Sequence, residues 1–422
     1  MTGATAALIL ARCDELATHT VLPGGLIERV YLSAQHAAVN SLAARWMTEA
    51  GLSIWQDAAG NQCGRREGAV PGLPALLLGS HLDTVPSAGR YDGILGVLLA
   101  IAVADRIRAS GRRLPFALEV VAFGDEEGTR FGTTLLGSRA FSGTWQPEWW
   151  NLSDADGVTV HEAFLAFGLD PDRVGEAARS TRDLVGYLEA HIEQGPVLDD
   201  ADEPLGVVTS IAGARRFQIT IEGAAGHSGT SWSLRRDALA GASEAILAIE
   251  DIARTANLIA TVGHLQVFPD AVNVIAGRAE FSLDLRGESD AARDAVWDRI
   301  ETALADICSR RQLDVHTVQT HVAPAAHCSA PLRAVLDRGI RSTRTAAAAP
   351  TDVPSLFSMA GHDAMAVAAV TDVAMLFVRC AGGVSHHPDE SVTAADVAVA
   401  LDALEAAVLA LADGYATAGG SA

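Results

Sequence analysis

The sequence predicts an α/β protein, a mixed-sheet domain interrupted by an inserted α+β domain. Two observations carry this. Three apolar runs, at residues 76–78, 115–123 and 184–190, each lead into a segment of glycine, histidine and carboxylate residues. Such runs read as buried strands, and open α/β sheets collect their ligands beyond the carboxyl ends of those strands. Between residues 213 and 320 the pattern changes to strand, helix, two strands, helix, strand, which is the split βαβ or ferredoxin-like order.

The first run opens the stretch at residues 76–97, LLLGSHLDTVPSAGRYDGILGV. His81 and Asp83 alternate, so both side chains leave an extended segment on one side. That suits an imidazole bound to a metal with a carboxylate to orient it. Asp92 precedes a helix expected over 94–109, where the dipole favours a carboxylate. Taken alone, His81 also reads as a satisfied loop histidine and Asp92 as a helix cap. The second run ends in GDEEG. Charges beyond a buried strand must be paired or bound to metal, so Glu126 and Glu127 read either as a metal ligand beside a base or as a solvated turn. The third run delivers His191-Ile192-Glu193-Gln194-Gly195-Pro196, again with alternating histidine and carboxylate. Three strand ends thus each present potential ligands.

Around these runs the elements follow in order. Ser33 caps an expected helix through residue 50, with Val39, Leu42, Ala43 and Met47 on one face. Strands are expected at 53–56 and 62–65, and helices and loops over 141–182. In the insert, strands are expected at 217–221, 258–267, 278–286 and 313–320, with helices at 236–255 and 291–312. The chain then returns to α/β character, with Gly361-His362-Asp363 at a helix start and a buried strand at 374–378. GGVSHHPDES follows, then a helix from 393 to about 412. The domain expectation is therefore 1–212 with 325–422, and 213–324 inserted. An alanine run at 346–349 and a frayed tail at 419–421 complete the reading.

Composition excludes several function classes. The 422 residues carry 31 Lys+Arg against 52 Asp+Glu, a formal charge of −21, which disfavours nucleic acid as a partner. The longest apolar stretch, 94–104, is too short to span a bilayer, and no basic region with a following apolar run opens the chain. A soluble, cytoplasmic protein is expected, with no membrane partner. Five cysteines, widely spaced and odd in number, read as buried thiols rather than a disulfide framework.

The motifs GSHLDTV, GRYDG, FGDEEGTRFG, GSRAFSG, HIEQGPVL, GVVTSIAG, NVIAGRAEFSLDLR, GHDA and GGVSHHPDES follow in order along the chain and carry a resemblance that runs from about residue 25 to 410. Through them the chain resembles the metal-dependent amidohydrolases related to aminoacylases and zinc carboxypeptidases. Within these it is similar to the allantoate amidohydrolase, N-carbamoyl-L-amino acid hydrolase and β-ureidopropionase branch.

The resemblance implies a dinuclear-metal, exopeptidase-like catalytic domain and an inserted lid and dimerisation domain. It implies two divalent ions per subunit, zinc or manganese, with cobalt or nickel also suited. His81, Asp92 and His191 would hold one, and Asp92, Glu127 and His386 the other, with Asp92 bridging the two; a cis Asp92–Gly93 bond is also implied. Asp83 would orient His81, and Glu126 would be the general base acting on a metal-activated bridging water. His227 would stabilise the oxyanion, from the partner subunit of a homodimer. Gln194 would read the ureido group, Asn273 and Arg286 the substrate carboxylate, and His362 and Gly383 would be further substrate contacts. His387 is expected to stay outside the ligand set.

The implied reaction is hydrolysis of a ureido C–N bond with release of ammonia and carbon dioxide. SHLDTVPSAGRYDG is most similar to allantoate amidohydrolases; a carbamoyl amino acid or β-ureidopropionate is the alternative substrate, and a dipeptide or acyl amino acid a more distant one. A metal-free binding relative of the fold would lack a ligand or the base, whereas every one of those positions is filled. The loop GHSGTSWSLR, at 226–235, is one residue shorter than the pattern of the branch. It also carries Trp232 where proline is common, and Gly226 replaces a polar residue. These departures bear on substrate identity.

Overall fold

The computed structural model describes residues 4–344 and 352–419, with side chains to Tyr415. The alanine run 346–349 and the tail residues Gly420 and Ser421 lie outside the described residues. Two compact units are present, one of Met1–Thr209, His327–Leu356 and Ala360–Ala422, the other of Ser210–Ala326 and Phe357–Met359.

The larger unit begins with helices α1 (Ala6–Ala17) and α2 (Ala34–Glu49). Ser33 caps α2 by accepting from the His36 N–H, which satisfies one of the orphan donors of a helix start. The hairpin β1 (Ser53–Gln56) and β2 (Gln62–Arg66) leads to β3 (Ala75–His81), whose every residue is buried. Helix α3 (Ile94–Ser110) is buried along 94–104 on all sides, as expected of a helix packed inside the protein rather than on it. It stops at Gly111, held at φ +70°, a left-handed C-cap that glycine adopts without steric cost. After β4 (Ala117–Phe123) come the short helices α4 (Leu136–Phe141) and α5 (Val160–Phe167). Next are β5 (Leu184–Ile192), α6 (Val197–Asp200) and β6 (Leu205–Ile211).

The smaller unit holds β7 (Gly213–Glu222), β8 (Gly226–His227), α7 (Ala238–Thr255), β9 (Ile259–Thr261) and β10 (Leu265–Phe268). It continues with β11 (Val274–Ile275), β12 (Arg278–Gly287), α8 (Asp290–Arg311) and β13 (Asp314–Ala323). Its sheet runs β10-β12-β7-β13, with β9 also on β12. The strand expected at 258–267 is therefore two pieces on one edge of β12, parted where Gly263 and His264 leave the ladder. Alternation is strict along β12, and Phe281, Leu283 and Leu285 face a core shared with Phe217, Ile219, Trp297 and Ile300. Phe217 stacks flat on Trp297, ring centroids 3.5 Å apart.

Back in the larger unit the chain forms β14 (Ala326–His327), α9 (Ala330–Thr343), β15 (Ser355–Ser358), α10 (Asp363–Val367), β16 (Val373–Val378) and α11 (Ala394–Gly419). The sheet is mixed, in the order β1-β2-β4-β3-β5-β16-β6-β14. Its four central strands β4, β3, β5 and β16 are mutually parallel, and β2 and β6 flank them antiparallel. The carboxyl ends of four buried strands therefore reach one edge, where the ligands of such sheets gather. All five cysteines are buried and free of disulfides. Among the described residues no helix is long and apolar enough to cross a membrane.

His36 shows what burial does to a histidine without a charged partner. It has no exposed surface, its Nδ1 accepts from the Leu32 N–H at 3.0 Å, and it stacks on Phe167. Burial presses its pKa down to about 3. The unfolded chain takes up that proton near pH 6.5, whereas the folded chain does not until about pH 3. Its contribution to stability is thus complete above pH 6.5 and is lost as pH falls towards 3. Urea unfolding at pH 6.5 and 5 should show wild type losing roughly 2 kcal/mol more than His36→Gln over that interval. Equal losses in the two proteins would refute the assignment of a neutral His36.

Candidate metal centre

The site is assembled at that sheet edge. β3 ends in His81, and β5 carries His191 as its penultimate residue. After β4 the chain turns at Asp125, held at φ +65°, into Glu126 and Glu127. Asp92 precedes α3, and His386, at φ +54°, follows β16. Among the described residues three groups of side chains could hold a metal ion: His81, Asp92 and His191; Asp92, Glu127 and His386; and His81, Glu126 and Glu127. Within each group the donor atoms lie within 4.8 Å of one another.

Asp92 divides its carboxylate between two of these groups. Oδ1 lies 3.4 Å from His81 Nε2 and 3.2 Å from His191 Nε2. Oδ2 lies 3.2 Å from His386 Nε2, which is itself 3.3 Å from Glu127 Oε1. The far nitrogens of two of the rings are already committed. His81 Nδ1 donates to the Asp83 carbonyl at 3.1 Å, and His191 Nδ1 to the Ile192 carbonyl at 2.9 Å. A carbonyl only accepts, so those protons sit on Nδ1 and the Nε2 lone pairs are turned inward. The two Nε2 atoms are 3.5 Å apart and face the same carboxylate oxygen. Converging acceptors of this kind, buried at His81, Asp92 and His191, partly buried at Glu127 and exposed at His386, fit a cation, and imidazole with carboxylate is a donor set for zinc, manganese, cobalt or nickel.

The electrostatics follow from the same crowding. Burial works to raise the Asp92 pKa, but the facing imidazoles of His191, His386 and His81 hold it well below the usual carboxylate range. Burial presses His81 down, yet Asp92, Asp83 and Glu126 raise it well above an ordinary histidine. Asp92 and Glu127 together raise His386 to about 10. Glu126, 8% exposed, is pushed well up by burial and by the carboxylates of Glu127, Asp363 and Asp83.

Two expectations need correction. The Asp92–Gly93 bond is not cis; the cis bond among the described residues is Phe268–Pro269. The turn there is made with Gly93 at φ +69°, a conformation open to glycine. The Asp83 carboxylate, moreover, is not the hydrogen-bond partner of His81. It stands 3.6 Å from His81 Nδ1, while its own backbone carbonyl makes that bond. The carboxylate instead accepts from the Glu126 and Glu127 N–H groups, both at 3.1 Å. It therefore fixes the turn that presents the two glutamates.

Several other residues take places their spacing does not disclose. The Glu193 carboxylate accepts from the Val197 and Leu198 N–H groups, both at 2.8 Å, and so caps the next turn outside the cluster. Gln194, at φ +57°, swings into it. Its Nε2 donates to Asp92 Oδ2 at 2.7 Å, and its Oε1 is buried without a partner. His362 has no exposed surface and packs edge-on to the His191 ring, centroids 4.4 Å apart. Glu189, beneath it, accepts from Ser80 Oγ at 2.8 Å and from the Ala364 N–H at 3.1 Å. The Gly383 N–H donates to the Cys380 carbonyl, and a Cβ there would strike the Gly195 backbone at 2.4 Å. His387 is exposed, outside the cluster, 3.5 Å from Asp389.

Sequence reasoning passed over Arg29. This guanidinium is fully buried, donates to the carbonyls of Leu82, Leu16 and His19, and is lowered by burial to about 10. It braces the segment that carries Asp83, and no motif around it announces the role.

In the smaller unit His227 lies on β8, opposite Val274 of β11, and its Nδ1 accepts from the Gly229 N–H. Asn273 adjoins it, its carbonyl accepting from the Ser228 N–H. Arg286 is gripped by Asp284 through Nε at 3.2 Å and Nη2 at 3.1 Å, and it donates to the Met359 carbonyl at 2.8 Å. It lines a cavity of about 570 Å³ together with Arg216, Asp284, Ser282 and Thr261.

The model of peptidase family M20/M25/M40 matches residues 77–410, which contain every residue of the cluster. The chain belongs to this family. It is 40% identical over 402 residues to the probable allantoate deiminase of Oryza sativa subsp. japonica, covering 88% of this chain and 82% of that one. It is 41% identical over 394 residues to the N-carbamoyl-L-amino acid amidohydrolase of Geobacillus stearothermophilus, covering 93% and 95%. The crystal structure of a hydantoinase/carbamoylase family amidase from Burkholderia multivorans superposes with a TM-score of 0.88 at 31% identity, covering 97% and 98%. The resemblance drawn from the motifs is thus borne out, as is the mixed-sheet fold of the M20 type.

As a test of the M20 cluster, a Cβ on Gly93 would meet His81 Cε1 and Nε2 at 2.4 Å in a positive-φ backbone. Gly93→Ala should therefore displace the imidazole and weaken Mn²⁺ or Zn²⁺ binding, read by calorimetry, by about tenfold or more. Unchanged binding would remove His81 from the ligand set.

Proposed function

We propose that this protein hydrolyses the ureido C–N bond of a small carboxylate, allantoate first, with release of ammonia and carbon dioxide. The observation that carries the reading is Asp92, one oxygen facing His81 and His191 and the other facing His386 beside Glu127, with Glu126 adjoining. Those residues would hold two divalent ions, which when bound acidify water and polarise a carbonyl. Glu126 takes the proton of the attacking water and returns it to the leaving nitrogen. Asp83 supports that exchange by holding the Glu126 backbone. Gln194 meets the ureido group, since an amide both donates and accepts.

Arg286 and Asn273 bind the substrate carboxylate, Arg286 through the guanidinium N–H groups not taken by Asp284 and the Met359 carbonyl. His227 stabilises the oxyanion, contributed across a homodimer. His362 acts by supporting His191, and Gly383 by letting two loops approach closely. The relatives named for allantoate and for N-carbamoyl-L-amino acids are similar to this chain at 40% and 41% identity. An N-carbamoyl-L-amino acid is accordingly the second substrate reading.

Ammonia release from allantoate, N-carbamoyl-L-amino acids and N-carbamoyl-β-alanine by Mn²⁺- or Zn²⁺-loaded protein discriminates these substrates. Turnover should vanish with chelator and return with metal. Glu126→Gln should lower kcat by roughly 10²–10⁴-fold while metal binding persists. Arg286→Lys should raise KM chiefly, because lysine loses bidentate geometry. Silence on every ureido compound, with release of amino acids from N-acyl substrates, would replace the proposal with an amide hydrolase.

A further inference from the structure

The loop bearing His386 is closed by a residue four positions on, the Glu390 N–H donating to the His387 carbonyl at 3.0 Å. The Glu390 carboxylate is 4% exposed, and both its oxygens are engaged. Oε1 accepts from two backbone N–H groups of the other loop, Tyr91 at 2.8 Å and Asp92 at 3.2 Å. Oε2 lies 3.0 Å from Ser385 Oγ, which stands 2.8 Å from Asp92 Oδ2. One hydroxyl proton thus serves either carboxylate.

A carboxylate beside another is unfavourable on charge alone. Here it is held by two backbone N–H donors and a hydroxyl it shares with Asp92, so what it secures is the relative position of two loops about 300 residues apart in sequence. The seat is shaped for this side chain, since a Cβ on Gly89 would stand 2.2 Å from Glu390 Cδ and Oε1.

We propose that Glu390 is a positioning residue, its carboxylate clipping the loop of Asp92 to the loop of His386 and so setting the geometry of the cation site these two share with Glu127. This rests on the reading of Asp92 and His386 as ligands. It goes beyond that reading by assigning metal affinity to a side chain that touches no metal.

The test uses the full chain stripped of metal by chelator. It reads Mn²⁺ binding by calorimetry and the visible spectrum of the Co²⁺ form, neither of which needs a substrate. Glu390→Ala should weaken one of the two sites by about tenfold or more and alter the Co²⁺ bands. Glu390→Gln keeps an oxygen for the Tyr91 and Asp92 N–H groups and should stay within a few-fold of wild type. Gly89→Ala displaces Glu390 without removing it, so it should reproduce the loss even where Glu390→Ala fails to fold. In a folded Glu390→Ala background it should add little. Wild-type binding in both alanine variants, or a loss in Glu390→Gln as large as in Glu390→Ala, overturns the clip alone. A wild-type chain that takes up no metal overturns both the clip and the metal-centre reading.

Discussion

The constraint on which this molecule depends is the convergence of unshared lone pairs on the Asp92 carboxylate. Two imidazole Nε2 atoms lie within 3.4 Å of one oxygen and a third lies 3.2 Å from the other. Acceptors gathered so closely repel one another, and the buried ones, Asp92, His81 and His191, are costly to desolvate unless a positive charge lies among them. Three of these side chains come from the ends of parallel strands or the turns just after them, and Asp92 from the turn into α3. The four-stranded parallel core is therefore the device that makes the convergence geometrically possible.

Around that point lies a layer of groups whose work is backbone geometry. Asp83 holds the Glu126 and Glu127 amides, Glu189 holds the Ala364 amide below His362, and Arg29 holds the Leu82 carbonyl. Each is a buried charge satisfied largely by peptide groups. Such bonds are strong in a poorly hydrated interior, and each fixes a turn rather than a side chain. The candidate ligands are thereby positioned through their main chain, with the Nδ1 hydrogen bonds of His81 and His191 to carbonyls completing the arrangement.

The family reading was legible because its residues stand at the ends of apolar runs. His81 and His191 stand at the ends of buried strands and Glu126 and Glu127 in the turn after another, and period and composition reveal such strands without a structure. The same reasoning misled at Asp83 and left Glu193 without a role. Both alternate with a histidine, and alternation is all that spacing can report. At Glu193 the chain leaves the strand and turns through Gln194 at φ +57°, sending the carboxylate to the next turn's amides. At Asp83 the side chain and the carbonyl compete for His81, and only the fold of the following loop decides between them. In the insert, the break between β9 and β10 was hidden because Gly263 does not by itself end a strand.

The sequence by itself determined the mixed α/β architecture, the βαββαβ insert and the identity of the residues at the strand ends. These follow from hydrophobic period and glycine punctuation, which are local properties of the chain. Only the tertiary structure decided how the Asp92 oxygens divide between the two groups of candidate ligands, that the Asp83 carboxylate turns to the Glu126 and Glu127 amides, and that Arg29 and Glu390 brace the loops. Those pairings join residues from about ten to about 300 positions apart. Their hydrogen bonds form only once burial has removed the water that would otherwise take their place.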